Sequence, residues 1–349
     1  MDDLDAAVTV ALTTALATTW PMTTPIRLMP LTAGRNNLVY RVEASASLPC
    51  ILRVYRNHAD VARVRYEVAL LAALRDTPLP FAVPTPLATR AGALVHPLQV
   101  DDDLLSGALA VLWTEVAGTH PDPVDEGQAE AVGAALAQLD TALAAIDPAA
   151  LPGRATLPLR DLRRRVSAPD DVEAALLHLP LPTEDTAHLV GQLRWVEAQI
   201  PPLYASLPQQ LVHGDIDPSN VLMDGARVTG VLDFEFSGYD LRIADLLGPL
   251  SWWHPDLFGT GAEWGMMEAL GRGYTAHLPL HPGEVRALPL LFRLRSIGGL
   301  LRDLAWRQQG RASEERVLER AVYTLMRERW LQRNQSRLLT MAERWPQAR

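Results

Sequence analysis

The spacing of apolar positions along this chain changes near Gly118. Before it, short runs alternate or are rich in β-branched residues: "IRLMPL", "NLVYRVEA" and "PCILRVYR". They are punctuated by Ala33-Gly34 and by Ser45 to Pro49, which predicts an antiparallel meander. A helix is expected at about Ala59 to Arg75, where Val61, Val64, Val68, Leu71 and Leu74 recur at helical spacing and need a sheet beneath them. Thr77 to Pro86 is too rich in proline for either element and reads as loop. Two further strands, near Ala93 to Gln99 and Ala108 to Glu115, would complete a five-stranded unit. The first twenty residues read as an amphipathic helix.

After Gly118 the spacing becomes helical. Glu126 to Ile146 places Val132, Leu136, Leu139, Leu143 and Ile146 on one face, and Ser313 to Trp345 reads as one or two more helices. The clear sheet signal in this half lies within "LVHGDIDPSNVLMDGARVTGVLDFE", Leu211 to Glu235. There Val221 to Met223 and Val228 to Leu232 flank Asp224-Gly225, a hairpin turn signal. No internal repeat or low-complexity tract interrupts the pattern.

Folding back at Asp224-Gly225 brings Asn220 and Asp233 to the same open end of the hairpin, since each lies just outside its strand. Asp215 precedes Asn220 by five residues, on a loop that Pro218 is expected to keep from being helical. Oxygen donors of this kind suit Mg²⁺, which takes one or two carboxylates and completes its shell with water and phosphate. The three groups could instead form a structural turn network, but their spacing favours chemistry.

Composition narrows the field. A chain of 349 residues with 48% hydrophobic content can bury a large interior of roughly two domain-sized cores. A formal charge of -9 argues against a nucleic-acid partner and is compatible with a small cationic one. No stretch has the uninterrupted apolar length of a membrane span. The single cysteine, Cys50, fits a reducing interior, and with no positively charged N-terminal segment the expected location is cytoplasmic. The sequence contains no lysine, so every fixed side-chain cation is an arginine.

The arrangement His213-Gly214-Asp215, then Asn220, then Asp233-Phe234-Glu235 resembles the catalytic loop and metal-binding Asp of the protein-kinase-like fold. In protein kinases, H-R-D-x-x-x-x-N is followed by D-F-G. Gly214 in place of Arg and Glu235 in place of Gly are features of the aminoglycoside phosphotransferase and choline kinase superfamily. The likeness runs in order through "LTAGRNNLVYRV", "ILRVY", "VRYEVALLAAL" and "AVLWTEVAGTH", and so covers nearly the whole chain. Downstream, "DFEFSGYDLRIADLLGPLSWW" resembles choline and ethanolamine kinases, except that Gly248-Pro249 replaces their usual Asn-His. The same segment, with the "GRGYTAHLPLHPGEVRALPLLFRLRSIGGLLRDLAWRQ" that follows it, also resembles type II homoserine kinases.

The resemblance implies a bilobal α+β protein-kinase-like fold, with a small antiparallel-sheet N-lobe over residues 1–113, a hinge at 114–118 and a helical C-lobe over 119–349. It implies Asp215 as catalytic base and Asn220 and Asp233 as Mg²⁺ ligands. Gly34, Arg35, Asn36 and Asn37 would cover the nucleotide phosphates. Arg53 stands in the place of the kinase lysine, Glu67 in that of its helix partner, and Trp113 to Val116, including Glu115, would meet the base. The nucleotide would be ATP, with GTP as the alternative.

Acceptor-side candidates are Glu235, Tyr239, Asp240, Trp252 and Trp253, although Trp252, Trp253 and Trp264 are more often core residues. Asp240, Asp256 and Glu263 could meet an amine, but each is expected to be solvated. His213 is expected to pack and hydrogen-bond in the loop rather than act as a base. The implied activity is transfer of a γ-phosphoryl group to a hydroxyl of an amino alcohol, amino acid or aminoglycoside-type acceptor. A protein Ser/Thr kinase and a silent nucleotide-binding pseudokinase are the alternatives. The missing A-P-E segment opposes the first, and intact Asp215, Asn220 and Asp233 oppose the second.

Overall fold

The computed structural model describes residues 6–31, 37–45, 48–55, 61–99, 105–166, 171–252 and 258–346. The chain opens with helix α1 (Ala6–Thr19), then strands β1 (Thr23–Pro30), β2 (Asn37–Ser45) and β3 (Cys50–Tyr55), helix α2 (Val61–Leu74), and strands β4 (Pro86–Leu87), β5 (His96–Pro97) and β6 (Leu109–Thr114). They form one antiparallel sheet in the order β1-β2-β3-β6-β4, with β5 also paired to β6. The sheet has six strands among the described residues, one more than expected. The extra one is β4, whose Pro86 and Leu87 pair with Trp113 and Leu112 at the end of the proline-rich stretch. Proline lacks a donor, and two residues at a sheet edge suffice where a central strand would not.

Two-residue alternation divides this sheet between two cores. Leu52 and Val54 of β3, with Ala110 and Leu112 of β6, pack on one face with Leu12, Leu16 and Trp20 of α1. Tyr55, Leu109, Val111 and Trp113 pack on the other with Val64, Val68 and Leu71 of α2. Arg53, between Leu52 and Val54, therefore falls on the α2 face.

The second half is helical, as expected: α3 (Glu126–Ala144), α4 (Val172–Leu177), α5 (Thr183–Ser206), and, after two strand pairs, α6 (Ala244–Trp252), α7 (Glu263–His277), α8 (Pro282–Gln308) and α9 (Glu314–Ala342). Asp125 caps α3 by accepting from Gln128 N, and Ser313 caps α9 by accepting from Arg316 N. The expected hairpin is β8 (Val221–Asp224) with β9 (Arg227–Val231). A second pair, β7 (Gln209–Val212) with β10 (Gly238–Leu241), lies outside the earlier expectation. At four residues each, these strands are too short to show a period in the sequence.

Gly118, at φ +146°, lies flush on the hairpin, where a Cβ would come within 2.4 Å of Thr229 Oγ1. Thr119 then pairs with Met223 in an antiparallel bridge, so the segment leaving the sheet is pinned to the hairpin that carries the candidate site. Helices α3 and α7 make a similarly close approach. A Cβ on Gly133 would sit 2.2 Å from the Leu270 carbonyl oxygen, and one on Gly273 2.0 Å from that of Glu130.

Gly133→Ala should force α3 and α7 apart and destabilise the protein by about 1–3 kcal/mol. Chemical denaturation would read this as a lower midpoint with an unchanged slope.

Candidate active site

The catalytic-type loop joins β7 to β8 and rests on buried polar contacts. His213 N and Gly214 N both donate to the Asp245 carboxylate at 2.6 Å, one to each oxygen. Asp245 stands at the start of α6 and is 1% exposed, so two charge-assisted bonds in a dry setting fix the loop backbone. Behind it lies Asp140 of α3, fully buried, whose Oδ2 accepts from Tyr274 Oη at 2.6 Å. Burial and the neighbouring Asp245 hold Asp140 well above the usual carboxylate range. The neutral form that this shift favours removes a repulsion between two buried anions.

Gly214 is at φ +84°, and a Cβ there would lie 2.6 Å from the Phe236 carbonyl oxygen, so an arginine at this position would not fit. The His213 ring is buried and meets Phe234 edge to face at 4.5 Å. Its Nε2 contacts the Leu232 carbonyl at 2.9 Å and its Nδ1 accepts from Asp215 N at 3.3 Å, which assigns the proton to Nε2. His213 thus packs and hydrogen-bonds, as expected of it.

Pro218 corrects an expectation. It opens a single 3₁₀ turn over Pro218–Asn220, capped by Asp217, whose side chain accepts from Ser219 N. Proline at the first position of a helical turn gives up no needed donor. The turn sets Asn220 facing back, where its Nδ2 donates to the Asp215 carbonyl at 2.8 Å and leaves Oδ1 as an oxygen donor for a cation. Leu232 N donates to the Asn220 carbonyl at 2.8 Å and closes the open end of the hairpin. Asp233, one residue on, has φ +60° and ψ +71° and is the non-glycine residue with positive φ among those described. Held in this sparsely used conformation, it turns away from the strand.

Asp233 meets Arg53. The guanidinium reaches Glu67 at 3.2 Å, Asp233 at 3.0 Å and Glu235 at 2.7 Å. Burial alone would lower its pKa, but Asp233 and Glu67 outweigh that and keep it charged. Burial pushes Glu67 up to about 7 in spite of Arg53, and Tyr55 Oη donates to it at 3.0 Å. Glu235, considered above on the acceptor side, is tied instead to the sheet half through Arg53 and through Asn37 Nδ2 at 3.4 Å. Burial raises its pKa and Arg53 opposes the shift.

Other expected nucleotide residues are placed as follows. Gly34, Arg35 and Asn36 lie outside the described residues. The Glu115 carboxylate is held by Arg41 Nε at 2.8 and 2.9 Å, and Val116 packs against Gly230. No cluster of three His, Cys, Asp or Glu with metal-binding geometry exists among the described residues. Asn220 and Asp233, the two residues expected to hold Mg²⁺, would leave room for water and phosphate oxygens around it.

On the far side of Asp215 a cavity of about 640 Å³ opens between the loop, β10, α8 and α9. Tyr239 lines it and is 42% exposed. The expected solvated roles of Asp240 and Glu263 do not hold. Asp240 is buried and accepts from Leu159 N, Leu241 N and Tyr204 Oη, and Glu263 is buried and accepts from Trp330 Nε1 at 2.9 Å. Short strands and helix starts need such acceptors for their orphan amides. Trp264 is core, stacked on Trp330 at 5.2 Å, as expected. Trp252 closes α6, while Trp253 and Asp256 lie outside the described residues.

The cavity brings in residues that the sequence did not mark: Arg295 and Arg302 of α8, and Arg316 and Arg320 of α9. Burial lowers the pKa of Arg302 to about 10, with Asp215 and Asp303 opposing. Burial raises that of Asp215, and Arg302 and Arg295 hold the rise back. The available signal was two arginines seven residues apart, spanning Gly298-Gly299, on one helical face of a lysine-free chain.

The two-lobed α+β fold and this loop define a phosphotransferase. The chain matches the model of the phosphotransferase enzyme family over residues 27–288 and belongs to that family. It is 31% identical over 255 residues to a homoserine kinase of Beijerinckia indica, covering 72% of this chain and 71% of that one. A homoserine kinase of Acidiphilium cryptum is 29% identical over 260 residues, 73% of each chain. Among solved structures, a microcompartment-associated aminopropanol kinase shares the fold with a TM-score of 0.68 at 24% identity, over 95% of this chain and 99% of that one. The sequence-level resemblance and fold class are thereby borne out.

Asp245→Asn would set an amide against one of two backbone donors and should destabilise the protein by about 2 kcal/mol or more. A thermal melt of the variant beside wild type checks this.

Proposed function

We propose that this protein transfers the γ-phosphoryl group of ATP to the hydroxyl of a small molecule, an amino alcohol, amino acid or aminoglycoside-type acceptor. The observation that carries the reading is the loop in which Asn220 is hydrogen-bonded to the Asp215 backbone while Asp233 is held by Arg53, with the cavity opening beside Asp215. Names of relatives, homoserine kinase and aminopropanol kinase, support a small hydroxyl acceptor. A neighbouring structure, an amicoumacin kinase with AMP-PNP, supports ATP as donor.

Asp215 would accept a hydrogen bond from the acceptor hydroxyl, align it on the γ-phosphorus and take its proton as the bond forms. Asn220 and Asp233 would hold Mg²⁺, which when bound neutralises developing charge on the phosphate oxygens. Arg53 positions Asp233 and, as a planar fork rather than a point charge, is suited to phosphate oxygens as well. Gly34 to Asn37 would cover the phosphates, the 114–118 segment would border the base, and Tyr239 would line the acceptor side. No described helix is long and apolar enough to cross a membrane.

Asp215→Ala should lower kcat by about 10²–10⁴-fold with little change in the melting shift caused by Mg-ATP. Equal turnover of mutant and wild type, measured as Mg²⁺-dependent ADP release with homoserine, would defeat the assignment. Because Asp215 must be ionised to accept a proton, activity should fall as pH falls through its folded pKa. Burial places that acidic limb above the ordinary Asp value of about 3.9. Since Arg302 lowers this pKa, Arg302→Gln should move the limb to higher pH in a kcat/KM profile.

A further inference from the structure

The acceptor cavity has an arginine wall that the phosphotransfer chemistry does not use. Arg295, Gly298, Gly299, Arg302 and Trp306 recur at helical spacing on α8, and all line the cavity. Arg316 and Arg320, four apart on α9, also line it. The α9 pair is already engaged: Asp303, fully buried, meets Arg316 at 3.4 Å and Arg320 at 2.9 Å. The α8 pair is held more loosely: Arg302 Nε only approaches Asp303 at 3.9 Å, and Arg295 has no carboxylate within 4.0 Å among the described residues. Arg295 Nε and Arg302 Nε are buried and have no hydrogen-bond partner among the described residues.

The acids lining the cavity do not supply one. Asp240 is saturated by Leu159, Leu241 and Tyr204, and Asp217 accepts from Ser219 N and Oγ. Asp215 attracts both arginines through space but is hydrogen-bonded to neither among the described residues. Arg302 is also held in place from two sides, over the Phe236 ring at 5.4 Å and the Trp306 ring at 5.0 Å. A fork fixed by two aromatic faces, with no carboxylate in hydrogen-bond reach among the described residues, is organised for a ligand that brings one.

Gly248 adds an independent observation. A Cβ there would lie 3.1 Å from Arg295 Nη2 and 2.9 Å from the Ile216 carbonyl oxygen. The position where the choline-kinase-like pattern has a side chain is thus kept clear, and the Arg295 guanidinium stands against it.

We propose that Arg295 and Arg302 bind an anionic group of the acceptor, a carboxylate or its equivalent, so that the substrate is a hydroxy acid or hydroxy amino acid rather than a simple amino alcohol or polycationic sugar. This deepens the phosphotransferase reading and rests on it for the hydroxyl being the reacting group. The two arginines are specificity-determining residues. They fix the acid end of the substrate so that its hydroxyl reaches Asp215.

The test uses homoserine and two analogues that each lack one of its groups: 4-hydroxybutanoate, without the amine, and 3-amino-1-propanol, without the carboxylate. Phosphoryl transfer from Mg-ATP is measured for wild type, Arg302→Gln, Arg302→Lys and Arg295→Gln, above the acidic limb. Wild type should favour the better carboxylate compound over 3-amino-1-propanol by about tenfold or more in kcat/KM. That ratio should collapse toward one in either Gln variant, mainly through KM. Arg302→Lys, which keeps the charge and loses the fork, should fall between. A wild-type preference for 3-amino-1-propanol over both carboxylate compounds would overturn the anion site and leave the kinase reading intact. Calorimetry of 4-hydroxybutanoate and homoserine, with the nucleotide site filled by Mg-AMP-PNP, separates the two ideas. Carboxylate binding that weakens about tenfold in Arg302→Gln, with no transfer to any acceptor, would uphold the anion site and sink the kinase reading. Absence of binding by both carboxylate compounds would overturn the anion site whatever the transfer assay reads.

Discussion

The Arg53 guanidinium ties the two halves of this protein together at the place where chemistry is expected. Arg53 reaches Glu67 on its own lobe and Asp233 and Glu235 on the other. Strand alternation puts it on the α2 face, between Leu52 and Val54 that face α1, so β-sheet periodicity alone aims it at Glu67. Facing three carboxylates, it leaves a surplus of negative charge near Asp233. A bound cation or an added proton must accommodate that surplus, and burial already raises the pKa of Glu67 and Glu235. With no lysine in the chain, this joint is a fork throughout, able to contact several oxygens where an ammonium would act as one point.

The loop opposite is held from behind by buried acceptors rather than by its own sequence propensity. Asp245 takes the amides of His213 and Gly214, and behind it Asp140 is held by Tyr274. Three helices, α3, α6 and α7, therefore back one short turn. Satisfying the two loop amides matters because an unpaired buried polar group costs about 1–3 kcal/mol. The left-handed Asp233 and the tight Gly214 are conformations that a loosely held loop would not keep.

The family fold sets the reaction, and the wall of the cavity sets what can enter it. The α8 and α9 arginines, the cleared position at Gly248 and the occupied carboxylates of Asp240 and Asp303 all bias that wall toward an anion. The overall charge of -9 pointed the other way, toward a cationic partner, because net charge averages over a surface and says nothing about one concave site.

The sequence by itself determined the local parts. The change of period at Gly118, the Asp224-Gly225 hairpin, the helices that became α2, α3 and α9, and the spacing of Asp215, Asn220 and Asp233 were all legible, since each depends on neighbours within a few residues. Two-residue edge strands such as β4, and the β7–β10 pair, were not legible, because pairing with a distant strand makes them strands. The 3₁₀ turn at Pro218 depends on the cap from Asp217 and the return bond to Asn220, and so it escaped a rule based on proline alone. Only the tertiary structure decided which charges meet. Asp240 and Glu263 look like surface acids in the sequence and are buried acceptors in the fold, while Arg295 and Arg302 look like helix-surface cations and line the cavity beside Asp215. The physical reason is that a charge's role is set by its burial and its partners, and both come from chain segments tens to hundreds of residues away.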